Sequence, residues 1–569
     1  MTSEPAHATV VRAATRSNTT VLTDELRSIQ AILEGSNEDK HLLDEIRGLS
    51  APIRRIPPEI FTKIFQNLTE SLFNQLLSVV SHGLPKPLAA LANRQLMTLA
   101  HVCMRWFRIV VSTPALWSNI TIDVRLWQGW QSKSIATQLL QSVLHRSGTR
   151  PLTILIYSYE SDAIATQPLS LLTQHAARWE GVAVVGTLAL NSWAYLAQTG
   201  TPLPLLRKLY VTKPPTRIPS PFPFAVGYSG PTLRPMDKTT FPALRELIFP
   251  APFSNFITND LVAQLTMYVL TVTLAAQFPT ALDCIVASSS KASFTLQCAI
   301  PRRGTEFPEV ASRSSEVDHL HLVLAATLDW DATVTSAPML AYIFNALTLP
   351  SLRALAFSRE SPIRGSTSDR SFAWPQAAFL SLVERSGLAS SLCILSLMGV
   401  KFPGAEGRAE LIGVLKALPA LRELALGDQL EYSIEGDTQH SLGEAWTYIL
   451  VDDELLSALT LGGDGADLLP ELHTLTLLLL GQNQITLPAL LRLVKSRTRT
   501  DPIFACEAVA LRWKRFVPPP LPADVIQEFK AMNERGEADI RIRGLEPMEA
   551  GEIDVGGLQG DGDVIITEF

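Results

Sequence analysis

Leu418-Pro419-Ala420-Leu421-Arg422-Glu423-Leu424-Ala425-Leu426 carries the phrase on which the fold turns. Its centre is L-x-x-L-x-apolar, announced by a proline two residues earlier. Successive side chains of a strand point to opposite faces, so Leu424 and Leu426 share one face of a short strand. Leu421 anchors the turn that leads in. The same phrase recurs on both sides of this copy. It reads Leu206-x-x-Leu209-x-Val211, Leu244-x-x-Leu247-x-Phe249, Val317-x-x-Leu320-x-Leu322, Leu352-x-x-Leu355-x-Phe357, Leu392-x-x-Leu395-x-Leu397 and Leu472-x-x-Leu475-x-Leu477. Pro204, Pro242, Pro350, Pro419 and Pro470 precede five of them. Leu282-x-x-Ile285, after Pro279, reads as a degenerate copy.

One such strand cannot bury its leucines alone. Stacked copies share a continuous core, each touching only its neighbours, and self-similarity at this period marks a solenoid. Between the strands the apolar spacing is helical, as in Ala378, Leu382 and Arg385, or Leu411, Val414, Leu415 and Leu418. Strand, crossover helix and parallel strand is the connection this requires. Upstream, Gln138 to Arg146 reads as a helix, 147–151 as a turn and Leu152 to Tyr157 as a strand. The expected fold class is therefore α/β, an irregular solenoid over 135–517 that closes around Ala508 to Trp513. The alternative is a plain α/β domain with leucine-rich strands. Residues 518–569 read as an acidic, Gly-rich tail in which Val525 to Ile542 serve as a polar cap.

Ahead of the array stands a different pattern. It opens Ile56-Pro57-Pro58-Glu59-Ile60-Phe61-Thr62-Lys63-Ile64-Phe65 and closes Leu99-Ala100-His101-Val102-Cys103-Met104-Arg105-Trp106, then Pro114-Ala115-Leu116-Trp117. Proline is at home in the first helical turn, whose N–H has no intrahelical partner, so a helix is expected to start at Pro57 or Pro58. Ile60, Phe61, Ile64 and Phe65 give it a broad apolar face. Leu99, Val102, Cys103 and Trp106 repeat that spacing on a second helix, which Pro114 should end. Two short helices cannot hide this much apolar surface between themselves. The remainder must pack on the chain's own body or on another protein.

Ile-Pro-Pro-Glu-Ile-x-x-x-Ile-Phe followed by Val-Cys-x-x-Trp and Leu-Trp resembles an F-box, spanning 53–121 here. F-box proteins dock on the Skp-type adaptor of cullin-based ubiquitin ligases and present substrates for ubiquitin transfer. The resemblance implies that Pro57, Pro58, Glu59, Ile60, Ile64, Phe65, Val102, Cys103 and Trp106 contact or frame the adaptor. The two halves are normally separated by a short helix. Here an insertion at about 69–95 intervenes, and no adaptor contact is carried over from it. The repeat array is similar to the irregular leucine-rich repeats that follow many F-boxes. Arg178-Trp179 and Leu418–Leu424 match phrases of fungal members. The departures are a period longer than the ~20–29 residues of regular leucine-rich repeats and the lack of a recurring Asn.

With 569 residues the chain exceeds a single core, which stops growing near ~250–300 residues. The net charge of −7 is concentrated at the end. From Leu521 onward 12 acidic residues stand against 4 basic ones, a balance of −8, so the preceding residues sum to +1. No basic patch large enough for nucleic acid is present. Cys103, Cys284, Cys298, Cys393 and Cys506 are sparse, odd in number and without C-x-x-C spacing. That points to reduced thiols and a cytoplasmic or nuclear setting, and 1–18 lacks an apolar signal core. The uncharged runs Val182–Leu206 and Leu261–Leu282 are long enough to span a bilayer. Internal Asn, Gln and Pro make them buried helix-plus-strand segments instead. Residues 1–20 are polar and read as a disordered N-terminus. Leu22, Leu26, Ile29 and Leu33, then Leu42, Ile46 and Leu49, give 21–50 a helical hairpin, a short coiled coil or a face that packs on the F-box.

No catalytic, cofactor or metal constellation is complete. His319-x-His321 puts two imidazoles on one strand face but has no third ligand nearby. Gly462-Gly463-Asp464-Gly465 lacks the Lys-Ser/Thr end of a phosphate loop. Asp561-Gly562-Asp563 stops short of a calcium loop. The expected protein is non-catalytic and takes an adaptor, a cullin through it, and a protein substrate. The alternative is a leucine-rich scaffold with no ligase partner. Neither nucleic acid nor membrane is expected as a partner.

Overall fold

The structure is a computed structural model and describes residues 56–68, 96–124, 130–158, 166–186, 193, 202–212, 236–250, 257–272, 275–299, 306–309, 311–325, 336–359, 372–398, 400–402, 407–427, 451–462, 467–480, 485–498, 504–511, 523–545 and 567–568. The disorder expected over 1–20, the helices expected in 21–50, the 69–95 insertion, and the glycine-rich stretches 463–465 and 561–563 lie outside them.

The fold is mixed α/β. One large sheet is mostly parallel and does not close into a barrel. Its strands are β1 (Asn119–Asp123), β2 (Leu152–Ser158), β3 (Trp179–Gly186), β4 (Lys208–Thr212), β5 (Glu246–Pro250), β6 (Met267–Val272), β7 (Ser293–Ala299), β8 (His319–Ala325), β9 (Ala354–Arg359), β10 (Ile394–Met398), β11 (Glu423–Gly427), β12 (Thr474–Leu480), β13 (Phe504–Leu511), β14 (Ala538–Leu545) and β15 (Thr567–Glu568). They lie side by side in chain order. Only β15 runs antiparallel to its neighbour.

The register explains why the leucines recur. Leu320, Leu355, Leu395, Leu424 and Leu475 are directly paired from strand to strand, and so are Leu322, Phe357, Leu397, Leu426 and Leu477. Each row is buried in one continuous apolar core. Helices supply the other side of that core: α4 (Trp130–Arg146), α5 (Thr166–Thr173), α6 (Phe278–Ala287), α7 (Ala337–Ala346), α8 (Gln376–Ser386), α9 (Gly407–Lys416), α10 (Asp453–Leu459), α11 (Leu487–Arg497) and α12 (Ala523–Glu534). The lower numbers α1–α3 are kept for the N-terminal helices 58–68, 96–102 and Met104–Ser112. A parallel sheet is usually covered on both faces. Here every described helix that reaches the large core packs on the same one.

Three expectations change. Leu282 and Ile285 lie inside α6, so this copy of the phrase is helical. Two strands in the same interval carry aromatic residues at the core position instead: Leu265-x-x-Tyr268-x-Leu270 on β6, and Phe294 with Leu296 on β7. The sheet starts at Asn119 rather than near 135. It also continues past Leu511, because α12 and β14 add a further helix–strand unit inside the expected tail. The two uncharged runs keep their expected mixed character: the described parts of one are most of β3, Trp193 and 202–206, and those of the other are the end of a one-turn helix, β6, a 3-10 turn and the start of α6. No helix among the described residues is long and apolar enough to cross a membrane.

Polar stitches tie one unit to the next. Arg385 at the end of α8 donates to the carbonyls of Phe344 and Leu347, and its neighbour Ser386 accepts from the Leu349 N–H at 2.8 Å. α11 repeats the device. Arg497 donates to Leu459, Leu468 and Leu469 carbonyls, and Ser496 accepts from the Leu461 N–H at 3.0 Å.

The thiols give a direct check on this core. Cys103 is exposed and Cys393 half-buried, whereas Cys284, Cys298 and Cys506 are buried. Burial pushes Cys284 up to about 11 and Cys506 up to about 12, and raises Cys298 as well. Maleimide labelling of the native chain is expected to modify Cys103 first and the three buried thiols only on unfolding. In the unfolded chain these thiols ionise near pH ~9, where the folded chain still holds their protons. Stability therefore falls as pH rises above ~9, by about 1.4 kcal/mol per pH unit for each buried thiol. Denaturant melts between pH ~8 and ~10.5 measure it.

Candidate functional site

α1 (58–68) begins where the prolines place it, with Pro58 as its first residue. The Ile60 and Phe61 N–H groups donate to the Pro57 carbonyl at 3.1 and 3.3 Å. The second helix is not continuous. α2 (96–102) stops at Cys103, whose φ of −160° and ψ of 164° are extended. α3 (Met104–Ser112) then starts afresh, and Pro114–Trp117 forms a 3-10 turn. The break divides the expected face of Leu99, Val102, Cys103 and Trp106. Leu96 and Ala100 turn inward from α2, and Ile109 and Val110 from α3. Val102 and Cys103 end on the outside.

These helices enclose a small core of their own: Phe61, Phe65, Leu96, Ala100, Ile109, Val110, Leu116 and Trp117. Trp106 packs on it half-buried, with its ring 5.4 Å from Phe61 and 5.0 Å from Phe65. The Arg105 guanidinium sits 5.3 Å over the Phe61 ring and donates to the Ile56 carbonyl. It fastens the chain's entry to α3. The Trp117 Nε1–H donates to the Val110 carbonyl at 2.8 Å, closing the knob on the sheet side.

Of the expected contact residues, Pro57, Pro58, Glu59, Ile60, Ile64, Val102 and Cys103 are exposed. Phe65 is sealed at 1% exposure, so it frames the knob and offers no surface. Trp106 spends much of its ring on Phe61 and Phe65 and keeps part of it at the surface. The sequence missed Leu68, Met97, Met104 and Phe107, which are also exposed. Ile60, Ile64 and Leu68 recur every four residues, which makes one stripe along α1. Seven of the twelve large apolar side chains exposed among the described residues belong to this knob. Scattered surface leucines are ordinary, but a contiguous apolar patch marks an interaction site.

A second surface lies on the sheet face opposite the helices. Thr295, His321, Ala356, Ser396, Ala425 and Thr476 form a row across six adjacent strands and are partly exposed. Glu423 is exposed one row below. The histidines on this face are not gathered for a metal. His319 Nδ1 lies 2.6 Å from Asp318 Oδ1, and His321 Nε2 lies 2.7 Å from Ser358 Oγ. Among the described residues no three His, Cys, Asp or Glu side chains stand close enough to hold an ion.

Comparison with models of known protein families gives no match, and comparison with curated proteins gives none either.

Proposed function

We propose that this chain is a non-catalytic substrate receptor of a Skp-cullin-F-box type ubiquitin ligase. The knob of α1–α3 docks the adaptor, and a cullin through it, and the units behind it hold a target protein. The observation that carries the reading is the exposed apolar face of the knob. Ile64 is 42% and Val102 57% exposed, although both have the character of core residues. Leaving them in water costs free energy that a partner's groove would recover. The sequence phrase suggests the partner, and the exposure of the same residues leaves them free to meet one.

The units behind the knob are read as an irregular leucine-rich-repeat-like solenoid. Strands in chain order and aligned leucine rows support that reading. The sheet face on which no described helix packs, with Glu423 and Ala425 on it, is then the surface for the target. A pull-down from a native lysate with the full chain as bait, read by mass spectrometry, tests both halves. The adaptor and a cullin are expected among the captured proteins. A catch that lacks both in repeated experiments overturns the ligase reading in favour of a scaffold.

A further inference from the structure

α4 carries a stripe that the knob covers only in part. Ile135, Leu139 and Val143 recur every four residues and share one helix face. Val143 packs against both the knob's core and the large core. Ile135 and Leu139 are 59% and 61% exposed. They lie one and two turns back along the same face, within about 12 Å of Val143. The knob therefore forms a wall at one end of an apolar ledge. Knob and ledge together hold nine of the twelve exposed large apolar side chains among the described residues; Leu205, Val286 and Leu380 stand alone elsewhere.

Charge separates this region from the rest of the chain. In residues 56–68, 96–117 and 130–146 the charged residues are Lys63, Arg105, Arg108, Lys133 and Arg146 against Glu59, a balance of +4. The whole chain carries −7, so all other residues sum to −11. Lys63, Arg108 and Arg146 have exposed side chains.

We propose that the docking face continues from the knob onto the α4 ledge, and that one partner with an acidic rim around an apolar groove spans both. This rests on the receptor reading above, and the partner is its adaptor. The apolar ledge supplies contact, and the surrounding cations select an acidic rim over the chain's own acidic surface.

The test uses the full chain with recombinant Skp-type adaptor as the probe, measured by isothermal titration. Ile135→Asp with Leu139→Asp is expected to weaken binding by about tenfold to a hundredfold. The melting temperature should hold, because both side chains already face water. Leu205→Asp, at an isolated exposed leucine, should change nothing. Raising salt from about 50 mM to about 500 mM should weaken wild-type binding several-fold, since exposed charges are screened over that range. Unaltered affinity in the double variant, with wild type binding, overturns the ledge and leaves the receptor reading in place. Absence of binding by wild type overturns both. A wild-type dimer in sedimentation that the double variant dissolves assigns the ledge to a second copy of this chain and overturns the proposal.

Discussion

Ile64→Asp together with Val102→Asp is expected to abolish the proposed capture of a Skp-type adaptor and to leave the chain's own melting temperature unchanged. Both side chains lie outside the knob's core. Substitution at such surface positions usually changes stability by no more than about 0.5 kcal/mol. In a complex the same two side chains would each contribute about 1.5–3 kcal/mol by leaving water. The new carboxylates would add a desolvation penalty of several kcal/mol. The combined loss exceeds about 4 kcal/mol, a thousandfold in affinity. Trp106→Ala cannot replace this pair as a test. Its ring packs on Phe61 and Phe65, so truncation loosens the knob itself, and lost binding would have two explanations. Titration of purified chain with adaptor measures the effect. Binding by the double variant within about threefold of wild type would sink the docking role of this face, since ~0.7 kcal/mol is far less than two buried side chains provide.

What the sequence disclosed follows from which residues carry the period. Where leucine or another aliphatic residue stands at the core positions, as at Leu209, Leu320, Leu355 and Leu424, the strand was legible and its neighbours could be ordered. Tyr268 and Phe294 occupy the same register positions but hid from an aliphatic pattern. Trp179-x-x-Val182-x-Val184 also fits the frame once an aromatic is admitted in the first position. Leu282 and Ile285 imitated the phrase because a three-residue spacing fits a helix as well as the start of a strand. Their neighbours Ala281 and Phe278 complete the helical face. At the knob, the proline start was readable from local chemistry. The break at Cys103 was not, because neither glycine nor proline marks it. Exposure was beyond reach altogether. Ile60 and Phe61 are adjacent and both apolar, yet one faces water and the other the core. The difference is set by where α2 and α3 lie against α1, which no local pattern encodes.

Arg497→Leu should be the most damaging single change in the body of the protein. A guanidinium 1% exposed is rare, since burying a charge without partners is costly. Here the cost is offset by the carbonyls of Leu459, Leu468 and Leu469. Burial lowers the group's pKa to about 10, which still leaves it charged at neutral pH. Leucine would fill much of the space but leave three carbonyls without these donors, each unsatisfied group worth about 1–3 kcal/mol. One of them belongs to Leu469, whose φ of 53° is the left-handed conformation that a bulky side chain resists. The turn before Pro470 is therefore held partly by the cation. A loss of about 3–5 kcal/mol is expected, allowing for partial rehydration of the carbonyls. Arg497→Lys should recover only part of it, because one ammonium cannot reproduce the fork that reaches Leu459 on one side and Leu468 and Leu469 on the other. Position in the sheet decides where the damage shows. Each strand pairs only with its neighbours in chain order, so the strands next to α11 depend on this clamp and the early ones do not. Hydrogen exchange should rise in β11 to β14 while β2 to β6 keep their protection. Uniform loss across the whole sheet would instead mean that the units unfold as one body, and that the clamp serves the entire core rather than its own seam.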